Sequence, residues 1–172
     1  MSAVPLSQKL VMLYLLDRCG HPLTNEQIDR YMQQNHWSDY MLLQQLKAEL
    51  REAEMVAVSD GDPTFYMLLP KGRDSLHLFE NRIPLVVHRQ LDLFLEHNAA
   101  QIEKDSMIFT RVIPEKNGDY LAELRTFAGQ NLAFCVSVTL PNRERAKETA
   151  EKMAEENEAL YAMIAAFLDA EQ

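Results

Sequence analysis

Residues 23–69, LTNEQIDRYMQQNHWSDYMLLQQLKAELREAEMVAVSDGDPTFYMLL, contain the pattern that decides the fold of the first half of this 172-residue chain. Up to residue 54 the apolar side chains recur at the three- and four-residue spacing of helices, with a turn at Asn35-His36-Trp37. Over 55–69 the period falls to the two residues of a strand, interrupted by Asp60-Gly61. The stretch therefore predicts helix, turn, helix and β-hairpin.

The flanking residues extend this pattern. Thr24-Asn25 and Ser38-Asp39 can cap the two helices, because their side-chain oxygens accept hydrogen bonds from free backbone N–H groups. An apolar helix at 6–19, which Gly20-His21-Pro22 is predicted to stop, precedes the stretch, and another helix at 73–80 follows it. Three helices, a hairpin and a closing helix in about 80 residues predict a winged helix-turn-helix over residues 1–83.

A second domain is predicted over residues 84–172, after a break at Asn81-Arg82-Ile83-Pro84. Its predicted elements are a helix at 85–103, strands at 107–113, 120–127 and 132–140, and one long helix from about Arg143 to Asp169. The turn residues between the strands favour an antiparallel meander. The predicted class is α+β, with a winged helix followed by a three-stranded meander packed with two helices.

The composition is that of an ordinary globular protein, with 47% hydrophobic and 25% charged residues. A net charge of -9 repels phosphate backbones, so any nucleic-acid contact must use a local patch. No basic leader and no apolar run of ~20 residues is present, so we expect a cytoplasmic protein with no membrane partner. Cys19 and Cys135 match no metal or redox spacing and are expected to be reduced, buried thiols, with a single disulfide as the alternative.

Motifs for catalysis are missing from the sequence. The five glycines are too scattered for a phosphate-binding loop, and the five histidines form no helical metal pair. The paired acids Asp60 and Asp62 sit in a predicted hairpin tip, without the burial that general acid catalysis requires. We therefore expect no enzymatic activity, no cofactor and no metal site.

Helical spacing gives the second helix of the deciding stretch one stripe without acids, formed by Tyr40, Gln44, Lys47 and Arg51. Tyr and Gln near a helix N-terminus can reach base edges, whereas Lys and Arg further along can neutralise phosphates. We predict contacts with the bases of double-stranded DNA from Tyr40, Gln44 and Gln45, and contacts with phosphates from Lys47 and Arg51. A solvated helix face is the alternative interpretation.

The acidic hairpin tip lowers the DNA affinity expected from that stripe, because carboxylates repel phosphates. We therefore expect weak, strongly salt-dependent binding by each subunit and a homodimer as the working form. The same acidity favours an alternative function, a winged helix that serves as a protein–protein adaptor without DNA binding.

The last predicted helix has apolar residues at alternating four- and three-residue steps, as in a coiled coil. The residues predicted to form a dimer seam are Met153, Asn157, Leu160, Ile164 and Phe167. Alternatively, this stripe covers the sheet of its own chain. The meander can also hold a small-molecule effector, although no residue indicates which one.

Three segments resemble a bacterial family of short proteins that is catalogued as a domain of unknown function. These segments are 23–28, 40–46, and Phe65-Tyr66-Met67-Leu68 before Lys71-Gly72. The similarity runs along the whole chain, including the Arg82-Ile83-Pro84 junction. The resemblance implies a winged-helix transcriptional regulator and brings no catalytic or ligand-binding residues with it.

Overall fold

A computed structural model describes residues 3–61, 63–105, 107–128 and 131–170. The helices in these ranges are α1 Leu6–Cys19, α2 Asn25–Gln34, α3 Tyr40–Glu52, α4 Pro70–Phe79, α5 Leu85–Asp105, α6 Arg143–Glu155 and α7 Asn157–Asp169, with a 3-10 turn at Glu80–Arg82. The strands are β1 Leu23–Thr24, β2 Val56–Val58, β3 Phe65–Leu68, β4 Ile108–Pro114, β5 Tyr120–Ala128 and β6 Asn131–Leu140. They form two three-stranded antiparallel sheets, ordered β1-β3-β2 and β4-β5-β6, which confirms the α+β class.

The described residues divide into two compact units. The first comprises 3–58 and 63–105, and the second comprises 59–61, 107–128 and 131–170. The sequence put the boundary at 83/84, but α5 belongs to the first unit, because Val87, Leu91 and Phe94 are buried in its core. Pro84 begins this helix instead of ending a domain, since its carbonyl accepts a hydrogen bond from the Val87 N–H.

Helix α1 is the most enclosed element of the first unit's core. Every residue from Leu10 to Leu16 is buried, so the helix contacts other elements on all sides. It ends at Gly20, whose φ of +66° is a left-handed conformation that glycine adopts without strain. The predicted C-terminal stop is therefore confirmed.

The predicted caps in the deciding stretch are also confirmed. Thr24 forms a reciprocal capping box with Gln27, in which its Oγ1 accepts from the Gln27 N–H at 3.1 Å and its own N–H donates to Gln27 Oε1 at 2.9 Å. Asp39 caps α3 by accepting from the Leu42 N–H at 2.9 Å. Between the two helices, His36 has a φ of +58°, which reverses the chain.

The β-hairpin follows α3 as expected. Strands β2 and β3 pair antiparallel, with Val56 opposite Leu68 and Val58 opposite Tyr66. The two-residue strand β1 was not predicted. It adds to the other edge of β3, where Leu23 lies opposite Tyr66, and a strand this short leaves no periodic signal in the sequence.

The second unit contains the predicted meander. Alternation along β5 turns Ala122 and Leu124 toward α6, whose Ala146, Ala150 and Met153 are buried against them. Small alanine side chains at this contact let the helix lie close to the sheet. α6 covers this face of the meander, while α5, the other helix assigned to this domain from the sequence, packs in the first unit.

The predicted single helix from Arg143 to Asp169 is wrong, because the helix is interrupted at Glu156. Glu156 has φ -100° and ψ 18°, outside helical values. The next residue, Asn157, donates from its side-chain amide to the carbonyl oxygen of Ala154 at 2.6 Å. Asn side chains compete in this way with the backbone hydrogen bonds that continue a helix, so α6 and α7 are separate.

Candidate nucleic-acid interface

An open groove of about 520 Å³ runs along one side of α3 in the first unit. Its lining residues are Gln44, Lys47, Ala48, Arg51 and Glu52 of α3 and Tyr66 of β3. Three of the four residues in the predicted stripe therefore border this groove. Tyr40, the fourth, is 61% exposed at the first turn of the helix, next to Met41, which is 76% exposed.

Lys47 lies beneath this groove and is not exposed on the helix surface. It is only 2% exposed, and its ammonium group forms an ion pair with the carboxylate of Asp29. It also donates to Asn25 Oδ1 at 2.6 Å and lies 5.4 Å from the centre of the Tyr66 ring. The sequence assigned Lys47 to phosphate contacts, but its charge is used inside the fold, where it ties α3 to α2.

Burial and charge act in opposite directions on the groove's titratable groups. Burial lowers the pKa of Lys47 below its ordinary value, against the opposing effects of the hydrogen bond and charge of Asp29. Burial also raises the pKa of Tyr66, and Asp29 adds to this rise while Arg51 opposes it. Lys47 is balanced by Asp29, so the exposed cation on the groove wall is Arg51, with Glu52 next to it.

The two glutamines of α3 differ in their surroundings. Gln45 donates to Glu49 Oε1 at 2.9 Å, and Glu49 is in turn paired with Lys9 at 2.7 Å, so Gln45 belongs to the contact between α3 and α1. The side-chain nitrogen of Gln44, in contrast, has no hydrogen-bond partner among the described residues. That nitrogen is buried, so the Gln44 amide reaches a ligand in the groove only if its side chain rotates.

Sequence reasoning missed three residues of this site: Asn25, Asp29 and Tyr66. Asn25 and Asp29 lie four residues apart on α2 and are hydrogen-bonded to each other at 3.3 Å, so they share one face of that helix. That spacing is visible in the sequence, but the face of α2 that meets α3 is not. Tyr66 was read only as part of a strand.

Of the two acids predicted at the hairpin tip, Asp60 lies within the described residues. Asp62 lies outside the described residues. The carboxylate of Asp60 accepts a hydrogen bond from the Val112 N–H at 2.7 Å, and the Asp60 N–H donates to the Thr110 carbonyl at 3.2 Å, all within the second unit.

The residues predicted to form a dimer seam fall into two groups. Met153 is buried against the chain's own sheet, and Leu160 packs against the same cluster. Asn157 is engaged with Ala154, Ile164 is half-buried, and Phe167 is 72% exposed. The seam does not lie on one continuous helix, because α6 ends at Glu155 and α7 begins at Asn157.

A buried ion cluster on the second sheet was also missed. The Glu123 side chain lies between Arg111 and Arg125, with Nε–Oε1 distances of 2.8 and 2.9 Å. Burial alone raises the pKa of Glu123, but the hydrogen bonds and charges of the two guanidinium groups outweigh it, and the pKa is lowered.

The cysteines are free thiols. Cys19 is buried as expected, but Cys135 is exposed, so the expectation of a buried thiol is wrong there. Burial raises the pKa of Cys19 to about 12, so its thiolate is disfavoured. In the part of the chain that the structure describes, no group of three or more His, Cys, Asp or Glu side chains is placed to hold a metal ion. No helix there is long and apolar enough to cross a membrane.

Comparison with known proteins gives one positive finding. No curated protein and no solved structure matches this chain. A family model described as domain of unknown function DUF4364 matches residues 8–168, which is nearly the whole chain and agrees with the resemblance seen in the sequence. This protein therefore belongs to the DUF4364 family.

Proposed function

We propose that the first unit is a winged helix that binds double-stranded DNA, and that the protein acts as a cytoplasmic, homodimeric transcriptional regulator. The observation that carries this proposal is the surface of α3, where Tyr40, Gln44 and Arg51 face solvent or the groove. A helix presented in this way after a helix and a turn is the element that enters the major groove in helix-turn-helix proteins. The hairpin β2–β3 takes the place of the wing.

The proposed contacts are fewer than the sequence suggested. Tyr40 and Gln44 contact base edges, and rotation of the Gln44 side chain brings its buried, unpaired amide nitrogen out to pair, with the amide oxygen, to an adenine edge. Arg51 contacts a phosphate. Lys47 is a positioning residue, since its ion pair with Asp29 fixes α3 against α2. With one cation per subunit in this set, affinity is weak and two subunits are needed.

The experiment is selection of fragmented DNA from the source organism by the purified protein, at low and moderate salt. We expect enrichment of a palindromic site whose half-sites lie about one helical turn apart. On that site Arg51→Ala lowers the DNA affinity about tenfold. It also reduces the salt slope, which is the steepness with which the logarithm of affinity falls against the logarithm of salt concentration, by roughly 0.9 for each phosphate that Arg51 neutralises. Arg18→Ala at the end of α1 is the matched control and leaves both unchanged.

Lack of any enriched site at either salt contradicts DNA recognition. An enriched site whose binding and salt slope are the same in Arg51→Ala and wild-type protein contradicts the assignment to α3. Tyr40→Ala and Gln44→Ala then distinguish base contacts from phosphate contacts, because removing a base contact changes the preferred sequence while removing a phosphate contact weakens all sequences equally.

A second function, a protein–protein adaptor, is favoured by the chemistry at the start of α3. Met41 and Tyr40 are exposed there, and the charges around the groove are balanced. Apolar and aromatic side chains of this kind form the centres of protein interfaces. If the protein is an adaptor, it binds a protein partner and binds no DNA. Met41→Glu then abolishes binding of that partner, whereas Leu78→Glu leaves it unchanged.

A further inference from the structure

The C-terminal helix α7 presents an apolar face that its own chain only partly covers. Of its large side chains, Leu160 packs against the sheet cluster and Tyr161 contacts the Phe134 ring at 5.7 Å between centroids. Beyond these contacts, Met163 is 70% exposed, Phe167 is 72% exposed and Leu168 is 66% exposed. In the described residues, α7 has no fully buried side chain.

The large side chains share one side of this helix. At 100° per residue, the positions from 160 to 168 that carry Leu, Tyr, Met, Ile and Phe fall within one continuous arc. The opposite side carries Glu158 and the alanines at 159, 162, 165 and 166. An amphipathic helix with its large side chains directed to solvent requires a partner surface to cover them.

We propose that this face, comprising Tyr161, Met163, Ile164, Phe167 and Leu168, is a two-fold interface that binds the same face of a second copy of this chain. The proposal identifies the surface through which the homodimer of the proposed function forms. It does not require DNA binding, so the two can fail separately.

The exposed area agrees with a second copy as the partner. Tyr161 is 52% exposed in addition to Met163, Phe167 and Leu168. An aromatic side chain buries roughly 150–250 Å², so these four partly exposed side chains together offer on the order of 500 Å² per chain. Two copies then bury about 1,000 Å², which is the size at which specific interfaces begin. A patch of this area is at the upper end of what monomers expose.

The charge distribution also selects a second copy. The chain has a net charge of -9, so two copies repel each other wherever charged surfaces meet. Residues 159–168 contain no charged side chain, with Glu158 and Asp169 at the two ends. An interface that places each copy on the same uncharged stretch avoids this repulsion, and self-complementary contacts of this kind are what two-fold dimers use.

The test is the mass of the full-length protein by analytical ultracentrifugation at micromolar concentration. Wild type is expected at twice the 19.8 kDa chain mass, at low and at high salt, because the contact is apolar. The variant carrying Met163→Glu and Leu168→Glu is expected at the mass of one chain. Leu78→Glu, on α4, is the matched control, since Leu78 is 76% exposed and receives the same substitution.

Folding of each variant is checked by its far-UV circular dichroism and by the unfolding transition of Trp37. A monomeric wild type overturns the proposal. So does a double variant that remains a dimer, a control that dissociates as the double variant does, or a wild type that assembles beyond two copies. Dissociation of the folded double variant alone, with or without DNA binding by the wild type, supports it.

Discussion

The two units each contain a buried ion cluster, and the central buried charges of the two clusters have opposite signs. In the first unit the buried charge is the cation Lys47, held by one carboxylate, Asp29, and one amide, Asn25. In the second unit the buried charge is the anion Glu123, held by Arg111 and Arg125. The first cluster joins two helices, whereas the second joins neighbouring strands of one sheet.

The two clusters differ in how many partners compensate the buried charge. A lysine with a single carboxylate loses all its charge compensation when that carboxylate is removed. A glutamate between two guanidinium groups keeps one of them when the other is removed, and those arginines remain partly open to water, with side-chain exposures of 18% and 27%. We therefore expect the first cluster to be the more sensitive to single substitutions.

The largest effect is expected for Asp29→Ala. This substitution leaves the Lys47 ammonium buried with one amide partner, and we expect the free energy of unfolding of the first unit to fall by about 3 kcal/mol. The single tryptophan, Trp37, lies in this unit, where its indole N–H donates a hydrogen bond to the Gln90 side chain at 2.8 Å. Its fluorescence during urea unfolding therefore reports the unfolding of the first unit.

Lys47→Met is the matched variant for that test. It removes the charge and keeps the length of the side chain, so it costs less than about 1 kcal/mol even though it breaks the same ion pair. If Lys47→Met destabilises the unit as much as Asp29→Ala, the cost comes from losing the pair and not from leaving a charge buried alone.

A smaller effect is expected for Glu123→Gln in the second unit. The amide keeps the shape of the side chain but leaves Arg111 and Arg125 facing each other without a carboxylate, which we expect to cost about 2 kcal/mol. Far-UV circular dichroism follows the loss of structure, and the Trp37 transition is expected to stay in place. Glu148→Gln, exposed on α6, is the control. An equal shift of the Trp37 transition would contradict the confinement of this effect to the second unit.

The same cluster predicts how acid affects the second unit. Because the folded pKa of Glu123 lies below the ordinary value of 4.5, its stabilising contribution is present above that pH and is lost as the pH falls through the folded pKa. The stability difference between wild type and Glu123→Gln should therefore shrink as the pH is lowered below 4.5. A difference that stays constant down to strongly acidic pH would show that the carboxylate charge is not its source.

The smallest effects are expected at the helix caps, one in each unit. Thr24→Ala removes the capping box of α2. Asn142→Ala removes the cap of α6, in which the Asn142 side chain accepts a hydrogen bond from the Arg145 N–H at 2.9 Å. Each is expected to cost about 1 kcal/mol, while Thr24→Ser and Asn142→Asp are nearly neutral. The Trp37 transition should move in Thr24→Ala alone. A shift of that transition in Asn142→Ala would show that the units unfold together.

The site was predictable from the sequence only in part. Spacing alone brought Tyr40, Gln44 and Arg51 to one side of α3, and the structure keeps all three at or beside the groove. It also put Lys47 in that stripe, because helical spacing gives a direction around the axis but not the depth of the neighbouring helix. The acid that neutralises Lys47 lies on α2, eighteen positions earlier.

Sequence by itself determined the local structure of this protein: the caps at Thr24 and Asp39, the stop at Gly20, the hairpin and the meander. These features depend on hydrogen bonds and backbone preferences within a few residues, and the sequence displays them directly. Only the tertiary structure decided the rest. It assigned α5 to the first unit and buried Lys47 and Glu123, because burial of a charge depends on partners that the chain brings together from distant positions.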